Sequence, residues 1–243
     1  MTLSEAAMGI AIASIRPGAA LLTSPLFGNT HVPVTLRIGL SVALGWSAFS
    51  TMDPVTVLAA AHDAPFLVLP ELVIGFAMGF AVQMAFGAAM MAGEVVGNTM
   101  GLGFATSMDG LSGPAPTLSN LMGFAATAIF LAGQGHLTLV ATILNSYRLL
   151  PLGASWMPSG DMVGFGTMMF GGAVAIALPV AFALVLVQIV TALIARAAPS
   201  LNLFAIGLPF TQLAGAALLV VAFPSMGSSI AARLTEALAL AAP

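Results

Sequence analysis

The chain has 243 residues, 60% hydrophobic and 5% charged, with a formal net charge of −3 and no cysteine. Soluble domains carry about 25% charged residues, so an ordinary solvated surface is excluded. The missing cysteine excludes disulfides, thiolate metal sites and cysteine nucleophiles, and the isolated charges without a basic run argue against nucleic-acid binding.

The N-terminus, MTLSEAAMGI, lacks the basic region of a signal peptide, and the apolar run behind it holds Arg16. It reads as a first membrane segment that is retained. Apolar segments follow one another at Ala6–Phe27, Leu36–Met52, Phe66–Phe104, Leu118–Gly133, Leu137–Leu150, Met162–Ala195 and Phe204–Leu238. Several exceed the roughly 20 residues that cross a bilayer as a helix. None shows the alternating ten-residue pattern of a membrane β-barrel. The expected fold is therefore an all-α, polytopic membrane protein. Asp53-Pro54, His62-Asp63-Ala64-Pro65 and Met157-Pro158-Ser159-Gly160 mark connections, and Gly133-Gln134-Gly135-His136 predicts a tight turn between two short helices.

Two segments are too long for simple straight spans. Met162–Ala195 as one helix runs to about 50 Å at 1.5 Å per residue, against a hydrocarbon core of roughly 30 Å. Pro179 stands near its middle, Pro209 and Pro224 in the last segment and Pro70 in the third, so bent helices are expected. Five arginines (16, 37, 148, 196, 233) and no lysine give the positive-inside rule little to act on. Surfaces that meet partner subunits rather than lipid explain both the poverty of anchors and the long helices.

Catalytic chemistry is weakly represented. Without lysine there is neither a phosphate-binding GxxxxGK loop nor a Schiff base, and His31, His62 and His136 lack neighbouring ligands at metal-binding spacing. No cofactor is expected. Gly110-Leu111-Ser112-Gly113 resembles the GxSG of rhomboid intramembrane proteases, but the later histidine, His136, falls in a turn and Ser112 sits among helix breakers. Glu94 stands inside a long apolar helix, where a carboxylate marks a function or a buried partner; pairing with a helix end or another subunit's polar group is preferred over a proton relay. Glu71, beside Pro70, is assigned to a helix start and its dipole. Gly93, Gly97 and Gly101 recur every fourth residue, as do Gly75 and Gly79. Small residues at this spacing let membrane helices touch backbone to backbone.

The run Gly93-Glu94-Val95-Val96-Gly97, then Met100-Gly101-Leu102-Gly103-Phe104-Ala105-Thr106 and Asp109, resembles the signature of the FliR family of flagellar type III export proteins. Pro33-Val34-Thr35-Leu36-Arg37, Gly135-His136-Leu137, Leu150-Pro151-Leu152-Gly153, Ala177-Leu178-Pro179-Val180, Ala197-Ala198-Pro199-Ser200-Leu201-Asn202 and Ile206-Gly207-Leu208-Pro209 follow in family order. The family's Asp-Pro after its Phe-Ala-Thr run is Asp109-Gly110 here. Virulence-secretion homologues share the architecture, but the Met100 to Thr106 block looks more flagellar. The resemblance implies a non-enzymatic export-gate subunit of kinked helical hairpins, with a FliP-like half over 1–155 and a FliQ-like half over 156–243. It implies assembly with FliP, FliQ and FlhB in the bacterial inner membrane, and passage of unfolded flagellar export substrates. It also implies that the loop after the glycine-rich helix plugs the closed channel, which assigns pore-facing roles to Phe104, Thr106, Met108, Asp109, Gly110, Ser112 and Gly113. A small secondary transporter with broken helices is the rival from another class, but it should converge polar groups within its spans, and Glu94 stood alone there.

Overall fold

The computed structural model describes residues 2–52, 64–103, 118–152, 162–197 and 203–242. Every regular element among them is an α-helix: α1 (Leu3–Ala13), α2 (Ile15–Thr23), α3 (Val34–Ser50), α4 (Ala64–Thr99), α5 (Leu118–Ala132), α6 (Gly135–Leu149), α7 (Met162–Ala197) and α8 (Leu203–Leu240). The all-α, polytopic expectation holds. Among the described residues four stretches are long and apolar enough to cross a membrane, or five if α5 and α6 form one broken span.

Local chemistry explains the helix ends. Thr2 and Glu5 cap α1 reciprocally: the Glu5 amide donates to Thr2 Oγ1 at 3.3 Å and the Thr2 amide to Glu5 Oε2 at 2.7 Å. The first predicted segment is broken at Ser14, one residue wide. Pro17 explains the break, because its ring crowds the carbonyl four residues back, that of Ala13, and it has no amide to offer it. Ser14 Oγ turns back to the Ile10 carbonyl at 2.6 Å. The predicted turn at Gly133 to His136 is present, with Gln134 in a left-handed conformation (φ 55°) between α5 and α6. By contrast α4, α7 and α8 run on as helices past Pro70, Pro179, Pro209 and Pro224.

The chain forms two compact units, one from residues 1–84, 130–165 and 234–243, the other from 85–129 and 166–233. Neither is a contiguous stretch, because α4 passes from the first to the second after Met84. In the first unit α3 packs on α1 and α2, and α6 on α2 and α3. Its core holds Ile12, Ala20, Leu21, Ile74, Leu139 and Ile143, all buried. Gly75 and Gly79 meet the backbone of α2: a methyl on Gly75 would strike the Arg16 carbonyl and come within 2.7 Å of Ala19 Cβ, and one on Gly79 would strike the Ala20 carbonyl. The GxxxG at 75–79 is therefore a close helix contact, as its spacing predicts.

In the second unit the buried face of α4 is rich in alanine, with Phe86 and Val96 beside it: Ala85, Ala88, Ala89 and Ala92 are each no more than 1% exposed. Ala173, Ile176, Ala177 and Leu184 from α7 and Met226 and Ile230 from α8 are buried in the same unit. Much of α7 and α8 faces outward instead, with Phe170, Val174, Leu178, Phe182, Leu213, Val220 and Val221 exposed. In water such a surface would aggregate. Here it suits lipid or other apolar helices.

Candidate functional site

The segment assigned to the plug, with Phe104, Thr106, Met108, Asp109, Gly110, Ser112 and Gly113, lies outside the described residues, as does the GxSG stretch. The helix leading into it is described. Its last turn closes with two linked hydrogen bonds, Gly101 amide to Asn98 carbonyl and Leu102 amide to Gly97 carbonyl, both 3.0 Å. This six-to-one, five-to-two pairing needs a left-handed residue between them, and Gly101 has φ +78°.

The glycine stripe thus divides into two functions. Gly93 is a packing glycine: a methyl there would lie 2.6 Å from the Leu118 carbonyl oxygen and 2.9 Å from Met122 Cγ. Gly97 is buried on the same face. Gly101 is closely packed too, since a methyl there would lie 2.6 Å from Leu208 Cδ1, but it carries a second constraint in its backbone. The helix has already ended at Thr99, and Gly101 supplies the backbone conformation that stops it.

Glu94 is exposed on this chain, so the fold of this chain alone does not bury it, and of the two partners expected for it the polar group of another subunit is the one its position leaves open. The buried face of α4 runs through Ala92, Gly93, Val96 and Gly97, and at 100° per residue Glu94, Val95 and Asn98 fall opposite.

Among the described residues the buried carboxylate is that of Glu71, and dipole compensation does not explain it. Glu71 lies two turns inside α4, beyond the reach of the helix end. It is fully buried against Arg16, also fully buried. The pair is bidentate: Arg16 Nε donates to Glu71 Oε2 at 2.8 Å and Nη2 to Oε1 at 2.9 Å. Arg16 Nη1 donates to Ser146 Oγ at 2.9 Å, and Ser146 Oγ donates onward to the Ile143 carbonyl at 2.6 Å. The guanidinium also lies 4.1 Å from the centre of the Tyr147 ring. Planar geometry, paired donors and a polarisable face are what let arginine rather than lysine be buried. Tyr147 completes the arrangement by donating to the Ala13 carbonyl at 2.7 Å. That is the carbonyl Pro17 left without a helical partner. Three helices, α2, α4 and α6, are thereby held by one neutral cluster in which each named polar group is used.

Sequence reading missed this cluster because its members are 55 and 130 residues apart. Signals existed: Arg16 and Glu71 each interrupt an apolar run, and an opposite charge is the cheapest partner for either.

A cavity of about 310 Å³ opens in the second unit, where Asn98 to Gly101 end α4 beside Gln188 and Thr191 of α7 and Thr211 of α8. Gln188 Nε2 donates to the Thr99 carbonyl at 2.7 Å. Met100, Ala192 and Leu208 supply apolar wall.

Long apolar helices, close small-residue contacts and a sealed ion pair define a multi-pass membrane protein built for tight helix assembly. Residues 7–237 match the family of bacterial export proteins, family 1. The chain is 30% identical over 214 residues to the flagellar biosynthetic protein FliR of Escherichia coli K12, covering 86% of this chain and 82% of that one. It is 29% identical to FliR of Bacillus subtilis (80% and 78% covered), and 31% identical to Yop proteins translocation protein T of Yersinia pestis (83% and 78%). The chain belongs to this FliR family of bacterial export proteins, as a multi-pass inner-membrane component of the flagellar export apparatus.

Proposed function

We propose that the protein is a non-enzymatic subunit of the gate through which unfolded flagellar proteins cross the inner membrane. It would assemble with FliP, FliQ and FlhB, with a FliP-like half up to about residue 155 and a FliQ-like half beyond it. The observation that carries the reading is the family match over residues 7–237, in a chain whose motif block straddles the capped end of α4. Helices of 36 and 38 residues with exposed apolar faces support an assembly role, since such surfaces are covered economically by partner helices.

The segment from Phe104 to Pro116 follows directly from the cap, and its composition suits a displaceable seal. It is small and polar, with one acid, glycines at 110 and 113, and Phe104 and Met108 to close by apolar contact. The test is deletion of Ser107 to Ser112. The expected result is an assembled complex with FliP and FliQ, membranes leaky to small ions, and slow, ion-dependent growth. An assembled, ion-tight mutant places the seal elsewhere. The likeness to the Yersinia translocation protein favours a second reading, a virulence-secretion gate subunit. Restoration of swimming in a fliR deletion strain by this chain decides for the flagellar one.

A further inference from the structure

We propose that the cavity at the end of α4 is a transient docking pocket for the ammonium or guanidinium of a lysine or arginine side chain on the polypeptide in transit. The proposal rests on the export reading above. Its basis is the direction of the hydrogen bonds around the cavity. Thr99 Oγ1 donates to the Val95 carbonyl at 2.7 Å, Thr191 Oγ1 to the Gln188 carbonyl at 2.8 Å and Thr211 Oγ1 to the Gly207 carbonyl at 2.9 Å. Each hydroxyl hydrogen is thus spent on the backbone. Gln188 spends an amide hydrogen on the Thr99 carbonyl. What the three hydroxyls still offer is lone pairs, and the Gln188 and Asn98 carboxamides add Oε1 and Oδ1 beside their remaining N–H groups, so acceptors outnumber donors. The cavity also stands at the C-terminus of a 36-residue helix, the negative end of its dipole. The complementary group is positive and rich in N–H.

The walls narrow the choice further. Met100, Ala192 and Leu208 line the cavity beside the oxygens, which suits a methylene stem carrying a charged head. A volume of about 310 Å³ is at the small end of ligand pockets and takes a side chain rather than a cofactor. The chain has no lysine, and none of its five arginines lines the cavity, so the cation comes from another molecule. Among the described residues no carboxylate lines it either. A conduit needs sites that accept a passing group and release it again, and neutral oxygens at a helix end grip without a counter-charge to overcome.

The test uses the assembled gate in membranes, with an export substrate arrested by fusion to a stably folded domain and a photo-crosslinker at Ala192. A cross-link to the substrate is expected. It should fall at least tenfold when the lysines and arginines of the arrested segment are replaced by glutamine, and likewise in the Thr191→Val/Thr211→Val double variant, which removes oxygens at nearly constant volume. Millimolar n-butylammonium should compete, and n-butanol should not. Recovery of the gate with its arrested substrate shows that the variant has folded. If substrate is recovered but the cross-link ignores these changes, or forms to an aminolipid instead, the pocket assignment is overturned while the export reading stands. If no substrate is ever recovered with the gate, the export reading fails and the pocket assignment with it.

Discussion

In the first unit, α2, α4 and α6 are joined through charge: Arg16 and Glu71 are sealed from solvent and satisfy each other, with Ser146 and Tyr147 taking the remaining contacts. In the second, the same helix α4 packs through near-absence of side chain, with alanines at 85, 88, 89 and 92 and Gly93 against the Leu118 carbonyl. The two devices fail differently. A charge cluster tolerates paired removal but not single removal, because the survivor is left uncompensated in a low-dielectric interior. A small-residue contact tolerates no added volume, whatever its polarity. One helix therefore carries two different sensitivities along its length.

The largest expected effect is on the ion pair. Glu71→Ala leaves Arg16 buried alone and should cost about 3–5 kcal/mol, read as loss of membrane-inserted protein and of swimming. The double variant Arg16→Met/Glu71→Leu should recover most of that protein; failure of the double to exceed the single would show that the cluster is needed for its charge. Next come the glycines. Gly79→Leu and Gly93→Leu should each cost about 1–3 kcal/mol by overpacking, and Gly97→Leu should likewise reduce recovery of the complex. Full recovery with Gly93→Leu would remove the contrast between the units.

Tyr147→Phe strips the Ala13 carbonyl of its donor and should cost about 1–3 kcal/mol, seen as a lower thermal midpoint in detergent. Adding Pro17→Ala restores a helical amide for that carbonyl, so the second change should reduce the cost of the first. Additive losses would break the argument that Tyr147 replaces the bond Pro17 deletes. Gly101→Ala forces a side chain into the left-handed conformation, at about 1–2 kcal/mol, and should raise proteolytic cutting after Thr99. The smallest effect is expected from Thr2→Ala, about 1 kcal/mol from the first turn of α1, measurable as faster amide exchange at Glu5.

Length and hydropathy determined most of the helix map, because an apolar run in a membrane must satisfy its backbone internally and helix is the available way. The turn at Gly133 to His136 and the close contact of Gly75 and Gly79 were legible for similar reasons: glycine's missing side chain has one set of uses wherever the spacing repeats. The family was legible too, through the block from Gly93 to Thr106. Tertiary structure decided which interruptions of the apolar pattern are buried. Glu71 and Arg16 meet across 55 residues, a pairing that no local window contains, whereas Glu94 turns outward because its helix face does. It also decided that Gly101, besides lying close to Leu208, ends a helix. Spacing records the positions of glycines, but the sign of φ is set by where the chain must stop.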